Sequence, residues 1–263
     1  MVSNKLAVVT GGASGLGEAT ARRFVVDGYD VALLDVNTSR GEELAASLSV
    51  GGKVARFFHC DVADPAKVDA VAAEVAKTMG VAEILVTCAG LIPNTESVME
   101  MDMAAHDRMW AVNYHGTVHA ARSFGRQMIP LKRGSIVTIG SINSVLPLPL
   151  PAYNPGKAAV ERLTQLLCVE LGRHNIRVNS IAPTYVMTPP LKAKVAAGER
   201  DMNKIMGVHA LPTLPEPTDI ANAIAFLCSD QARCITGILL PVDSGWLSAV
   251  SYRTYAGGVP WTE

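Results

Sequence analysis

The sequence predicts one α/β domain built as a doubly wound parallel sheet. Three observations carry this expectation: seven short, continuously apolar runs, amphipathic helical patterns between them, and a glycine-rich turn at the first strand–helix junction. Parallel strands covered on both faces read as unbroken hydrophobic runs, whereas a strand with one wet face alternates. Alternating β and α patterns from end to end give an open sheet with helices on both sides. The 263 residues suit a single domain, and no repeat, low-complexity tract or linker divides 1–263.

The first strand is expected at Leu6 to Thr10, and the turn Gly11-Gly12-Ala13-Ser14-Gly15-Leu16-Gly17 opens the first helix. Val31 to Asp35 and Val54 to Cys60 are the next two strands. Val68, Val71, Ala72, Val75 and Met79 then keep one face of a helix. Strands at Ile84 to Cys88 and Ser135 to Ile139 precede a helical pattern of Ala158, Val160, Leu163, Leu166 and Leu167. Arg177 to Ile181 is followed by 188–216, an excursion punctuated by prolines and long for a compact domain; such loops often act as lids, here over the substrate, and a mobile surface excursion is the equal alternative. A helix carrying Ile220, Ala223, Ile224 and Leu227 leads to the last strand, Ile238 to Val242. The tail 247–263 carries Tyr252, Tyr255 and Trp261, aromatic residues suited to docking on the body or on a neighbouring subunit.

Composition narrows the class. Lys and Arg (23) nearly balance Asp and Glu (24), so no basic stripe is available for nucleic acid. A chain 49% apolar can bury a large core, which excludes disorder. Mean hydropathy of +0.24 is high, yet no run of about 18 apolar residues exists to span a bilayer. The segment Met1-Val2-Ser3-Asn4-Lys5 lacks the apolar stretch of a secretory signal. Five cysteines without a C-x-x-C pair read as reduced thiols of a cytoplasmic protein, and no metal-ligand cluster is visible.

Glycines between a strand and a helix allow backbone N–H groups to approach a pyrophosphate at the helix N-terminus. The spacing is G-x-x-x-G-x-G over Gly11, Gly15 and Gly17. Asp35 ends the second strand 18 residues after Gly17, where a carboxylate can accept the ribose hydroxyls of NAD and repel a 2′-phosphate. Its competing role is to cap the helix near Thr38. Ala13 and Ser14 are neutral, which also argues for NAD over NADP, and Arg40 is the one nearby residue that argues the other way. Asp61-Val62 ends the third strand with the same geometry and suits adenine.

Tyr153 and Lys157 lie four apart in a helical pattern and share a face. A neighbouring ammonium favours phenolate and lowers the tyrosine pKa, so the phenol can exchange a proton with an alcohol or carbonyl near neutral pH. Ser141 follows the fifth strand, where ligands meet a doubly wound sheet, and its hydroxyl can bind a substrate oxygen.

Taken in order, these motifs resemble the short-chain dehydrogenase/reductase family over essentially the whole chain. The matching residues are Thr10 to Gly17, Asp35, Asp61-Val62, Ala89-Gly90, Asn113, Ser141, Tyr153-x-x-x-Lys157, Asn179 with Pro183, and Asp243-x-Gly245. The resemblance implies a Rossmann-like sheet of about seven strands and hydride transfer between NAD and a secondary alcohol or ketone. It implies Tyr153 as general acid/base, Ser141 orienting the substrate oxygen, Lys157 on the nicotinamide ribose, and Asn113 holding a water that links Lys157 to solvent. It also assigns the nucleotide to Gly11, Ser14, Gly15, Leu16, Gly17, Asp35, Asp61, Val62, Ala89, Gly90, Pro183, Val186 and Thr188, together with Asn113, Tyr153 and Lys157. A homotetramer is implied, with the apolar Leu163, Leu166, Leu167 and Leu171 run as its support in the sequence; a monomer core can absorb the same run.

Four departures stand out. Thr87-Cys88 replaces an Asn-Asn pair before Ala89-Gly90, and Thr184 follows Pro183 where glycine is usual. The loop Leu146-Pro147-Leu148-Pro149-Leu150-Pro151 is apolar and stiff, and Pro155 stands just inside the Tyr153 helix, which its first turn tolerates. Asn113 has a plainer role open to it, filling a break in its long helix, and Ser144 reads as a loop hydroxyl. For substrate, Ile92, Leu146, Leu148, Leu150, Tyr185, Met187, Met202 and Met206 favour an apolar secondary alcohol. Asn94, Asn143 and His209 favour the alternative, a polyol or sugar; Ser141, Asn143 and Tyr185 are the nearest candidates for contact. A non-catalytic dinucleotide-binding protein is a further reading, opposed by the complete Ser, Tyr and Lys set, and an enoyl reductase or dehydratase-like relative calls for a different Tyr/Lys spacing.

Overall fold

The computed structural model describes residues 5–92 and 95–261. Strands β1 (Leu6–Thr10), β2 (Asp30–Asp35), β3 (Ala55–His59), β4 (Ile84–Thr87), β5 (Gly134–Ile139), β6 (Ile176–Pro183) and β7 (Leu239–Val242) form one sheet in the order β3-β2-β1-β4-β5-β6-β7. Every pairing is parallel. The chain runs outward from β1 to β3, then crosses back to begin β4. The strand order therefore reverses between β1 and β4, and a crevice opens there above the carboxyl ends of the strands.

Helices α1 (Gly15–Val26), α2 (Thr38–Leu48) and α9 (Pro217–Cys228) cover one face of the sheet. The other face carries α3 (Pro65–Thr78), α5 (Gly116–Met128) and α6 (Tyr153–Gly172). Strand side chains alternate between these layers. Leu6 and Val8 meet Val68, Val75, Phe124 and Met128, while Ala7 and Val9 meet Phe24, Leu44, Ile220 and Ile224. Each fully buried aliphatic or aromatic side chain contributes about 1.5–3 kcal/mol. That two-sided burial is why the inner strands lack polar alternation; the edge strands β3 and β7 are partly exposed.

Strand boundaries fall within a residue or two of the sequence expectation. Helix starts follow local chemistry: Asp64 accepts from the Ala66 and Lys67 backbone N–H groups, with Pro65 at the first helical position. Between α4 (Met103–Trp110) and α5 the helix does not break but widens into a π turn at Ala111–His115, with Asn113 buried inside it. The excursion 188–216 contains α7 (Pro189–Ala196) and α8 (Met202–Gly207), and its base is closed by Met187 N–H donating to the Pro215 carbonyl at 3.0 Å. The tail begins with α10 (Trp246–Arg253), whose Trp246 is buried; beyond it Tyr252 and Trp261 stack with centroids 5.4 Å apart. Among the described residues no helix is long and apolar enough to cross a membrane.

Candidate active site

The glycine turn lies at the carboxyl end of β1, beside the switch point. Gly17 is fixed by contact: a Cβ there would sit 2.0 Å from the Gly11 carbonyl oxygen. Gly15 has φ of +53° with open space where a side chain would stand. Ser14 precedes α1 yet its side chain does not cap it. The first N–H groups of α1 therefore face an open, side-chain-free cradle, which fits an anionic pyrophosphate.

Asp35 turns back onto this cradle. Its Oδ2 accepts from Ala13 N–H at 3.0 Å and its Oδ1 from Asn37 N–H at 3.0 Å. The cap of α2 is Asn37, which accepts from Arg40 N–H, so Asp35 does not cap that helix. Arg40 is held by carboxylates: its guanidinium donates to both Glu18 oxygens at 3.0 Å and pairs with Glu43 at 3.0 Å. Two guanidinium neighbours pull Glu18 below the usual carboxylate range against the opposing effect of burial. Asp61 accepts from Ala63 N–H and from Arg108, and Val62 is buried behind it.

At the end of β4, where Thr87-Cys88 stands, the tie to the neighbouring strand comes from Thr10. Its carbonyl accepts from Cys88 N–H and its hydroxyl from Ala89 N–H, both at 3.2 Å. Asn113 reaches the same loop. Its Oδ1 accepts from Leu91 N–H at 2.7 Å, and its Nδ2 donates to the Leu91 carbonyl at 3.0 Å. The amide thus plugs the widened turn and clamps the backbone just past Gly90.

Ser141, Tyr153 and Lys157 meet at the ends of β5 and α6. Lys157 is 5% exposed and donates to the Ile139 carbonyl at 2.6 Å. Its Nζ stands 5.4 Å from the Tyr153 ring centre. Burial lowers the lysine to about 8, and it pushes the Tyr153 phenol up to about 12, with the Ser141 hydroxyl acting in the opposite direction. The sequence expectation of a phenol lowered by its lysine is thus reversed in the protein alone. Desolvation of the neutral-preferring pocket outweighs the nearby ammonium, whose own charge is suppressed by the same burial.

Ser144 takes the loop role expected of it, donating to the Lys157 carbonyl at 2.8 Å and accepting from Ser141 N–H. Asn143 is buried and turned away from solvent. Its backbone N–H and its Nδ2 both donate to Ser141 Oγ at 3.1 Å, and its Oδ1 accepts from Asn154. Asn143 is therefore a partner of Ser141.

His209 is likewise spent internally. Its ring is 1% exposed, with Nδ1 on the Ile205 carbonyl at 2.7 Å and Nε2 on the Thr184 hydroxyl at 2.8 Å. Burial lowers its pKa, so the ring is neutral; Nδ1, facing a carbonyl, carries the proton and Nε2 accepts from Thr184. Trp246 packs on His209 and on Tyr185, the latter in a 5.6 Å stack with planes 10° apart. No sequence signal linked Thr184 with His209, because the pair spans 25 residues and two elements. Pro183 and Val186 are buried beside them, and Thr188 begins α7 half-buried. Asn94, a candidate for polar substrate contact, lies outside the described residues. Ile92, an expected pocket residue, is 77% exposed.

Known proteins resemble this one along nearly its full length. A family model described as Enoyl-(Acyl carrier protein) reductase matches residues 11–247. A galactitol 2-dehydrogenase of Rhizobium johnstonii is 36% identical over 91% of this chain and 94% of its own. A (+)-borneol dehydrogenase 2 of Salvia officinalis is 35% identical over 93% and 89%. Among solved structures, a Brucella melitensis 16M protein described as ribose-5-phosphate isomerase superposes with a TM-score of 0.91 at 34% identity over 98% of both chains. A short-chain type dehydrogenase/reductase of Mycobacterium ulcerans gives 0.88 at 29% identity over 92% and 90%. An NAD+-bound xylitol dehydrogenase gives 0.87 at 29% over 93% and 100%, and ElxO with NADP bound gives 0.87 at 28% over 93% and 99%. The seven-stranded sheet, the ordered motifs and these full-length similarities agree: the chain belongs to the short-chain dehydrogenase/reductase family.

Proposed function

We propose that this protein transfers a hydride between NAD and the carbinol carbon of a secondary alcohol or its ketone. The observation that carries the reading is the convergence of Ser141, Tyr153 and Lys157 beside an uncapped glycine cradle. When bound, the nicotinamide supplies the hydride acceptor or donor. Tyr153 exchanges the proton at the substrate oxygen, and its neutral phenol is the form a ketone requires of a general acid. Ser141 donates to the same oxygen. Lys157 has two donors left after Ile139, suited to ribose hydroxyls, and its charge supports phenolate when an alcohol is oxidised. Asn113, its side chain engaged on Leu91, would hold the water that links Lys157 to solvent.

The nucleotide would rest on Gly11, Ser14, Gly15, Leu16 and Gly17 through pyrophosphate, on Asp35 through ribose, and on Asp61 and Val62 through adenine. Ala89, Gly90, Pro183, Val186 and Thr188 would surround the nicotinamide half. NAD is favoured over NADP because Asp35 sits on the cradle as a carboxylate and Arg40 is engaged by Glu18 and Glu43. Residues 188–216 serve as the substrate lid. A homotetramer is supported by α6: Leu171 is buried and Leu167 packs on the core, but Leu166 is 62% and Val169 78% exposed. A cytoplasmic location is consistent with five cysteines that are all free thiols.

An apolar secondary alcohol is favoured, since Asn143 and His209 are already paired inside the protein. The galactitol 2-dehydrogenase similarity keeps a polyol as the second reading. Absorbance at 340 nm during incubation with NAD and a panel of terpene, aliphatic and sugar alcohols tests both. NADH formation with the apolar alcohols is expected. Formation with the sugar alcohols alone would favour the second reading, and none with any member would overturn both.

A further inference from the structure

The hydrogen bonds around Ser141 have a direction, and that direction begins at a backbone carbonyl. Asn154, the residue after Tyr153, donates its Nδ2 to the Leu146 carbonyl at 2.5 Å and to Asn143 Oδ1 at 3.2 Å. A carbonyl only accepts, so the nitrogen of Asn154 must face it. The atom of Asn143 that meets this nitrogen must then be its oxygen, which leaves Asn143 Nδ2 facing Ser141 Oγ at 3.1 Å. The backbone N–H of Asn143 donates to the same hydroxyl oxygen at 3.1 Å. Both lone pairs of Ser141 are thereby occupied, and only its proton is left to give.

We propose that Asn143 and Asn154 are positioning residues, a one-way relay from the Leu146 carbonyl that holds Ser141 as a hydrogen-bond donor toward the reacting oxygen. The inference rests on the function proposed above. A donor-only hydroxyl matches the charge that builds on that oxygen, as alkoxide in oxidation and as polarised carbonyl in reduction. The proline-rich loop contributes by fixing where the Leu146 carbonyl points. Leu146 N–H is itself bound to the Ile142 carbonyl at 2.9 Å, within the short turn that carries Ser141.

Asn154→Asp and Asn154→Leu separate polarity from packing. Aspartate keeps the shape but places an oxygen against the Leu146 carbonyl and Asn143 Oδ1. Asn143 would then turn its own oxygen to Ser141 and draw the serine proton away from the substrate. Removing one such donor costs about 10²-fold in kcat, so a loss of that order is expected for Asp, with NADH affinity unchanged and a smaller loss for Leu. The Asp variant should recover relative to the parent as pH falls and the carboxyl regains a proton to donate. In a Ser141→Ala background the Asp change should cost nothing further. An Asp variant within twofold of the parent, or Leu worse than Asp, would overturn the relay while leaving parental turnover, and so the proposed function, intact. Amide exchange provides a readout independent of turnover and of which variants fold. In the ¹⁵N-labelled parent the Asn143 side-chain amide should exchange slowly with solvent, and fast exchange would overturn the proposal.

Discussion

The Thr184 hydroxyl donates to His209 Nε2 at 2.8 Å, hanging the residues after α8 on the end of β6. The register places this junction beside Ser141: Ile139 pairs with Ile181 across the two strands, so Thr184 lies one step past the level of Ser141. Arg253 adds a second tie, donating to the Gly207 and His209 carbonyls from α10. The Thr184 side chain thus pins the residues that follow α8.

Thr184→Val should therefore loosen the segment after α8, proposed above as part of the lid, and leave a buried imidazole nitrogen unpaired. The expected loss of stability is about 1–3 kcal/mol, which lowers Tm by roughly 2–4 °C per kcal/mol in a domain of this size. KM for the alcohol should rise more than kcat falls. Calorimetry with steady-state kinetics checks both, and an unchanged Tm would refute the role given to Thr184.

Asp35→Ser should weaken NADH and narrow the gap to NADPH. The carboxylate holds Ala13 and Asn37 N–H groups and would accept ribose hydroxyls. Hydrogen bonds to a charged group are worth about 1.5–3 kcal/mol, or about 10–100-fold in Kd. Fluorescence titration with the two nucleotides measures it; an unchanged ratio would remove Asp35 from cofactor choice.

Lys157 makes the folded protein sensitive to alkali in a defined direction. Its folded pKa of about 8 lies below the unfolded value of 10.5, so the unfolded chain binds more protons in between. The parent should gain stability as pH rises from 8 toward 10.5, relative to Lys157→Met, which carries no such proton. The Tm difference, variant minus parent, should be most positive near pH 7 and shrink by pH 9.5. A difference that stays constant would mean that Lys157 titrates normally.

The sheet was readable because burial on both faces leaves a plain signature: Leu6 to Val9 is apolar throughout, and the structure covers it from both sides. The cradle and the Tyr153/Lys157 pair were readable because their geometry is local, set by spacing within one turn or one helix. What escaped depended on contacts between distant elements. Nothing in the order of residues says that the Asn143 amide turns back on Ser141, or that His209 is closed off by Thr184 and Trp246. The direction of the Tyr153 shift escaped for a related reason: spacing places an ammonium near the phenol, but the desolvation that opposes it arises only in the packed fold. Asn113 kept two readings in the sequence, and its side chain does fill a helix irregularity, a π turn that clamps Leu91.

Tyr153→Phe tests the central claim most directly, because it removes one oxygen from the proposed proton path and leaves the ring in place. NADH affinity and Tm should stay close to the parent, while NAD-dependent oxidation of the best secondary alcohol should fall by about 10³-fold or more, at the upper end of what loss of a general acid/base costs. Turnover within tenfold of the parent, with nucleotide binding intact, would contradict the account.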